Sequence, residues 1–263
     1  MVNEEYITES PILQGNIEIE TLLGVEECRD KWTTYAYNGI PVPRMTEILS
    51  ACIGKDYLVS YALRCKNYYE ETNRVLYIGT LVHEKIDEFL LKGSADMTNI
   101  EWGNEEVFNK VNKAYNNFVR WYEDVTTDGY IIKTLDIEKK ITSPWYGGTI
   151  DAIMSIQKPG GCNSSNFVVD FKTSSKIAID YLIQTYGYMW AVNWYRQYID
   201  PTAYPQIDGI GIIRVDKKSK KYETIFVENT DIFMRDIHNA FVSCLDWYYY
   251  QKNLAYIIKD KRM

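Results

Sequence analysis

The apolar spacing of the chain changes period at Gly129, and that change dictates what it can build. Upstream, hydrophobic residues recur at three and four positions. Val107, Val111, Tyr115, Phe118, Trp121 and Tyr122 form one stripe over 104–124, and Leu81, Ile86, Phe89 and Leu90 form another over 77–91. Such spacing gathers apolar side chains on one face of a helix. Downstream the period falls to two, which predicts three consecutive strands over 130–141, 146–156 and 166–172, joined by Ser143-Pro144 and by Pro159-Gly160-Gly161. Helix returns over 176–198. A strand pair follows over 207–215 and 221–227 around the basic turn Lys217-Lys218-Ser219-Lys220-Lys221, and a helix over 230–252 closes the chain. This order specifies an α/β fold with a central mixed sheet flanked by helices, since each element must bury its apolar face against another.

Ahead of the sheet lie N-terminal additions. Residues 31–44, with Asn38-Gly39 between Trp32, Tyr35, Tyr37 and the prolines 41 and 43, read as a β-hairpin. Thr46 is placed to cap a helix over Glu47–Ile53, and Tyr57, Leu58, Tyr61, Ala62, Cys65, Tyr68 and Tyr69 predict another over 56–71. Residues 1–30 read as an acidic arm, a possible contact for a protein partner. They hold eight acids against Arg29, so the net charge of −7 belongs to them and the rest of the chain is balanced. The charge therefore neither supports nor excludes a polyanionic partner. Five cysteines without a CxxC pair cannot form a complete disulfide framework, no apolar run reaches the ~18 residues of a membrane span, and the N-terminus lacks the pattern of a secretory signal. A cytoplasmic protein is expected. The 23 Tyr and 7 Trp exceed the ordinary, and although core packing accounts for most, such side chains also stack on nucleic-acid bases.

The chemistry concentrates in a few places. In Val168-Val169-Asp170-Phe171-Lys172 an apolar strand ends in an acid and a lysine two positions apart, hence on one face. A carboxylate holds hard divalent cations, and a lysine beside it can position water or neutralise charge developing on a phosphate. An isolated pair of this kind is more often a surface ion pair. On the preceding strand, Gly147-Gly148-Thr149-Ile150-Asp151 places a second acid where an antiparallel hairpin could bring it to the same ion, unless the glycines merely mark a bulge. His83, in Gly79-Thr80-Leu81-Val82-His83, stands on a helix with Asp87 one turn later; a neutral imidazole is a competent ligand and Asp87 a possible outer partner. His238 is assigned to structure. Gln184 and Tyr188 share a face of the helix after the Asp170 strand. Glu138 could turn toward Asp151, although Lys139 and Lys140 make a solvated face an equal reading.

Taken in order, GTLVH (79–83), Glu138, GGTID (147–151), VVDFK (168–172) and QTYGY (184–188) resemble the RecB-like branch of the PD-(D/E)XK nucleases, with its GxxxH, GxxD, DxK and QxxxY motifs. The segment Val42–Leu49 is similar to the PSVTxIL-type signature of phage exonucleases and the mitochondrial genome maintenance exonuclease, with Arg44 and Met45 in place of Ser and Val. The resemblance implies a restriction-endonuclease-like core at 77–190 within one nuclease domain over 31–263, the hairpin and helices at 31–76 and the last strands and helix at 191–263 being additions. It implies that His83, Asp151, Asp170 and the Phe171 carbonyl bind Mg²⁺ or Mn²⁺, that Lys172 orients water for in-line attack leaving a 5′-phosphate, and that Gln184 and Tyr188 support Lys172 or the DNA. Glu138 would help hold a second cation or the water. Members with an iron–sulfur cluster carry three cysteines near the C-terminus, where this sequence has Cys244 alone, so no cluster is expected. The activity implied is exonucleolytic cleavage of DNA, single-stranded or with free ends, in phage or bacterial replication, recombination or repair. A structure-specific endonuclease and a non-cleaving DNA- or partner-binding protein on the same fold are the alternatives.

Overall fold

Asn38 and Gly39 both take left-handed conformations (φ 48° and 83°), the pair of angles that a two-residue hairpin turn demands. They join β1 (Tyr35–Tyr37) to β2 (Ile40–Val42), as the sequence predicts. This computed structural model describes residues 35–54, 66–98 and 105–260; the acidic arm and most of the helix expected over 56–71 lie outside them. Helix α1 (Met45–Cys52) starts ahead of the expected Thr46 cap: Arg44 occupies the N-cap position and makes no side-chain capping bond. Tertiary pairing sets this start instead. Arg44 bridges Gly147 in parallel, and the Gly147 N–H donates to the Pro43 carbonyl at 2.9 Å. Met45 then enters the core, fully buried.

Helix α2 (Tyr68–Lys92) joins the end of one expected helix to the whole of the next. No proline or glycine interrupts Asn67 to Ile78, and Arg74 bridges Glu71 in its own helix (2.6 Å) and Glu106 of α3 (Glu105–Thr127) at 2.8 Å. Gly93, left-handed at φ 78°, ends α2 by donating to the Phe89 carbonyl.

The main sheet has the order β3 (Ile131–Thr142), β4 (Gly147–Gln157), β5 (Ser164–Lys172), β6 (Gly209–Val215), β7 (Tyr222–Glu228). All neighbours are antiparallel except β5 and β6, which run parallel because α4 (Ile179–Tyr198) carries the chain back between them. Helix α5 (Ile232–Asp260) follows β7. The result is the mixed α/β architecture expected, a five-stranded mixed sheet flanked by helices.

Two cores lie on opposite faces of the sheet. Ile150, Val168 and Ile210 pack with side chains of α1, α4 and α5, whereas Ala152, Val169, Phe171 and Ile213 pack with Ile78, Val82, Val111 and Phe118 of α2 and α3. Burying each larger side chain is worth roughly 1.5–3 kcal/mol, so both layers are held firmly. Among the described residues no helix is long and apolar enough to cross a membrane.

Candidate functional site

Period two places Asp170 and Lys172 on one face of β5, and there they meet. The Lys172 ammonium lies 2.8 and 2.7 Å from the two oxygens of Asp170, which is 3% exposed. Burial alone would lower the Lys172 pKa, but the carboxylates of Asp170 and Asp151 outweigh it and hold the group above its ordinary value. The lysine is a fixed cation.

The β4–β5 ladder runs from the pair Gln157–Ser164 to the pair Ala152–Val169. Beyond it, Asp151 accepts a 2.7 Å hydrogen bond from the Phe171 N–H with the same Oδ2 that lies 3.6 Å from His83 Nδ1. The side chain thus continues the strand pairing and aims the carboxylate at α2. Its other neighbour comes from β3. A register shift between Thr134 and Asp136 leaves Ile137 opposite Ala152 and Lys139 opposite Ile150, so Glu138 stands across from Asp151. Glu138 is held left-handed at φ 48°, a conformation that costs a non-glycine residue about 1 kcal/mol or more. Lys139 turns away to pair with Asp136 at 2.9 Å. Glu138 joins both readings: it stays exposed to solvent, yet its carboxylate reaches toward Asp151 and His83.

One ligand atom each from His83, Glu138 and Asp151 lies within 4.8 Å of the others. Two carboxylates and an imidazole are a donor set for a hard or borderline divalent ion. The electrostatics fit such an occupant. Burial, opposed by Asp170, lowers the His83 pKa, which keeps its ring neutral and its lone pair available. Burial and then Asp170 push the Asp151 carboxyl well up. Asp87, one turn from His83, is pushed up to about 7 by burial and then by Glu138, and its Oδ1 is buried without a hydrogen-bond partner among the described residues. Closely spaced acids that resist ionisation are relieved by a cation. Asp170, expected in the same group, is instead turned to Lys172, and Phe171 contributes its N–H to Asp151 and its ring edge to His83 (centroids 6.1 Å apart).

Gln184 and Tyr188 meet each other, Nε2 to hydroxyl at 3.1 Å. Tyr188 is buried flat against Gly148: a Cβ there would fall 2.2 Å from the ring. The glycine of GGTID and the tyrosine of QTYGY are two halves of one packing contact. The α4 residue that meets Lys172 is Tyr181, whose ring lies 4.9 Å from the ammonium. Tyr181 was not singled out from the sequence, although it stands three residues before Gln184 and hence on nearly the same face. His238 is buried in the core with Nδ1 2.8 Å from the Tyr186 hydroxyl, a structural role. His83 and Glu138 of the metal-competent group open into a cleft of about 470 Å³, also lined by Phe171, Lys172 and Tyr181 and by Val75, Leu76 and Lys217.

No protein-family model and no curated protein matches the sequence. Among solved structures the chain is similar to a phage-related exonuclease from Haemophilus somnus 129PT, with 15% identity, a TM-score of 0.31 and coverage of 82% of this chain and 96% of that one. It is also similar to the protein SSO0001, with 12% identity, a TM-score of 0.26 and coverage of 66% and 74%. Both likenesses are distant.

Proposed function

We propose that this chain is a divalent-metal-dependent DNA nuclease, one domain over 31–263, that removes nucleotides from strand ends. The carrying observation is the convergence of His83, Glu138 and Asp151 within 4.8 Å of one another on the sheet end that also carries the Asp170–Lys172 pair. His83, Asp151 and Glu138 would hold Mg²⁺ or Mn²⁺, while Asp170 keeps Lys172 fixed beside them. The ion, when bound, would polarise the phosphoryl oxygen and neutralise charge developing on it.

The residues supply the rest. Lys172, fixed by Asp170 and backed by Tyr181, would orient the attacking water and offset the phosphate's negative charge. Asp151, bonded to the Phe171 N–H, keeps the ends of β4 and β5 in register. Tyr188 and Gln184 act beneath them, as supports of β4. Preference for strand ends rests on the resemblance of Val42–Leu49 to the exonuclease signature.

The test is a time course on 5′-labelled and 3′-labelled single- and double-stranded DNA, and on circular single strands, with Mg²⁺, Mn²⁺ or chelator. Metal-dependent degradation of linear DNA is expected, reduced by about 10²-fold or more in Asp170→Ala and Lys172→Ala. Undiminished activity in both variants would refute the site, and equal cleavage of circular DNA would refute the exonuclease reading.

A further inference from the structure

The turn between β6 and β7 carries a lysine into the cleft, its burial offset only in part by Asp216 of the same turn. Lys217 lines the same cleft as Lys172 and His83. It is half-buried, and among the described residues it forms no ion pair. Burial, then Lys110 and then Lys218 press its pKa down, with Asp216 only partly opposing them. Left to itself, a lysine so placed would swing its flexible stem into water and away from like charges.

The backbone is fastened so that the residue stays. Helix α3 grips the turn at four carbonyls: the buried Asn117 amide donates to Asp216 O and Ser219 O (2.8 Å each), Lys113 Nζ to Lys218 O (3.1 Å) and Arg120 to Lys220 O (2.7 Å). The Asp216 carboxylate accepts from the N–H groups of Lys218 and Ser219 at 2.6 and 3.1 Å and from the Ser219 hydroxyl at 3.0 Å, and it lies 3.8 Å from Arg214, so the one acid in the turn is already engaged. A solvated hairpin needs none of this. Asn117, 3% exposed, is a polar side chain committed to the core for the sake of a surface turn.

We infer that Lys217 is a phosphate-binding residue, which contacts the sugar–phosphate backbone of a DNA strand one or more nucleotides away from the bond held beside Lys172. The inference rests on the nuclease reading and deepens it. Lys172 and Lys217 are two basic points of one cleft, and the exposed Val75 and Leu76 in its lining offer apolar surface against which unpaired bases can lie. Lys217 is a binding residue, distant from bond cleavage, so its removal should weaken association and leave the chemical step intact.

Binding can be read without turnover. Fluorescence anisotropy of a labelled oligothymidylate, longer than the ~4–16 nucleotides such grooves cover, is followed in chelator over a range of salt for wild type, Lys217→Ala and Lys220→Ala, which alters an exposed side chain of the same turn. Lys217→Ala is expected to weaken binding on the order of tenfold and to flatten the plot of log K against log salt by about 0.7, the loss of one phosphate contact on a single strand. Lys220→Ala should leave both nearly unchanged. Thermal unfolding of Lys217→Ala should match or exceed wild type, because a repelled charge has gone. If Lys217→Ala and Lys220→Ala behave alike, the inference is overturned while the nuclease reading stands. If wild type fails to bind the oligonucleotide at all, both fall together.

Discussion

Replacing Gly148 with alanine tests the contact that ties the GGTID strand to the QTYGY helix. The added Cβ would sit 2.2 Å from Cε1, 2.8 Å from Cζ and 2.9 Å from the hydroxyl of Tyr188, whereas ordinary contact begins at 3.4 Å. The ring must therefore recede by more than an ångström. It has little room, since Tyr188 is 4% exposed and its hydroxyl is engaged by Gln184. Overpacking of this kind costs about 1–3 kcal/mol, and losing the Gln184 bond adds about 1 kcal/mol. A total near ~2–4 kcal/mol corresponds, at about 2–4 °C per kcal/mol for a domain of this size, to a Tm lower by roughly 4–16 °C. The decisive measurement is a double-mutant cycle by urea unfolding. Tyr188→Ala alone costs about 3–5 kcal/mol, but it removes the obstacle, so Gly148→Ala in that background should be nearly neutral, with a coupling energy of about 2 kcal/mol or more. An equal cost of Gly148→Ala in both backgrounds would refute the argument. Asp151 follows three residues later on the same strand, so divalent-ion binding should weaken along with stability in the single variant.

Two further outcomes follow from the acids around His83. Asp87, pushed up to about 7 from an ordinary 3.8, favours the protonated form in the folded state. Its contribution to stability is therefore present below about pH 4 and lost as pH rises through about 7, so the metal-free protein's urea midpoint should fall across that window. Asp87→Asn should flatten the fall, and a profile of equal steepness in the variant would count against the assignment. Glu138→Gly relieves the left-handed backbone at φ 48° and removes a carboxylate facing Asp151, so stability should rise by about 1 kcal/mol while affinity for Mn²⁺ drops. Chemical denaturation and calorimetric titration read the two effects, and loss of stability would contradict the strain.

The legible parts of this molecule were those in which one element sufficed. The Asn38-Gly39 turn, the stripe of α3 and the shared face of Asp170 and Lys172 all follow from local geometry, and the structure shows each of them. The α1 start was misplaced because a pairing with Gly147, distant in sequence, overrides the Thr46 cap. The gap expected between two helices vanished into α2 because Arg74 finds its second partner on α3. Glu138 could not be resolved from the two lysines that follow it, since only the register of β3 on β4 brings it opposite Asp151. Tyr181 and Lys217 owe their places in the cleft to the crossover of α4 and to the grip of α3 on a turn, neither of which leaves a local pattern.

The two cores described above are insulated from each other by the sheet, and the candidate site is where the layers on either side come closest to acting as one. His83 belongs to the α2–α3 layer, while Tyr181, against Lys172, belongs to the layer of α1, α4 and α5. A cation seated among His83, Glu138 and Asp151 would work as a rivet at the rim of a laminate, pinning the α2–α3 ply to the sheet at β3 and β4 and resisting slip between them. Heating should accordingly loosen the rivet hole before it melts either ply, and the temperature at which the protein ceases to hold a divalent ion should lie below that at which its helices unfold.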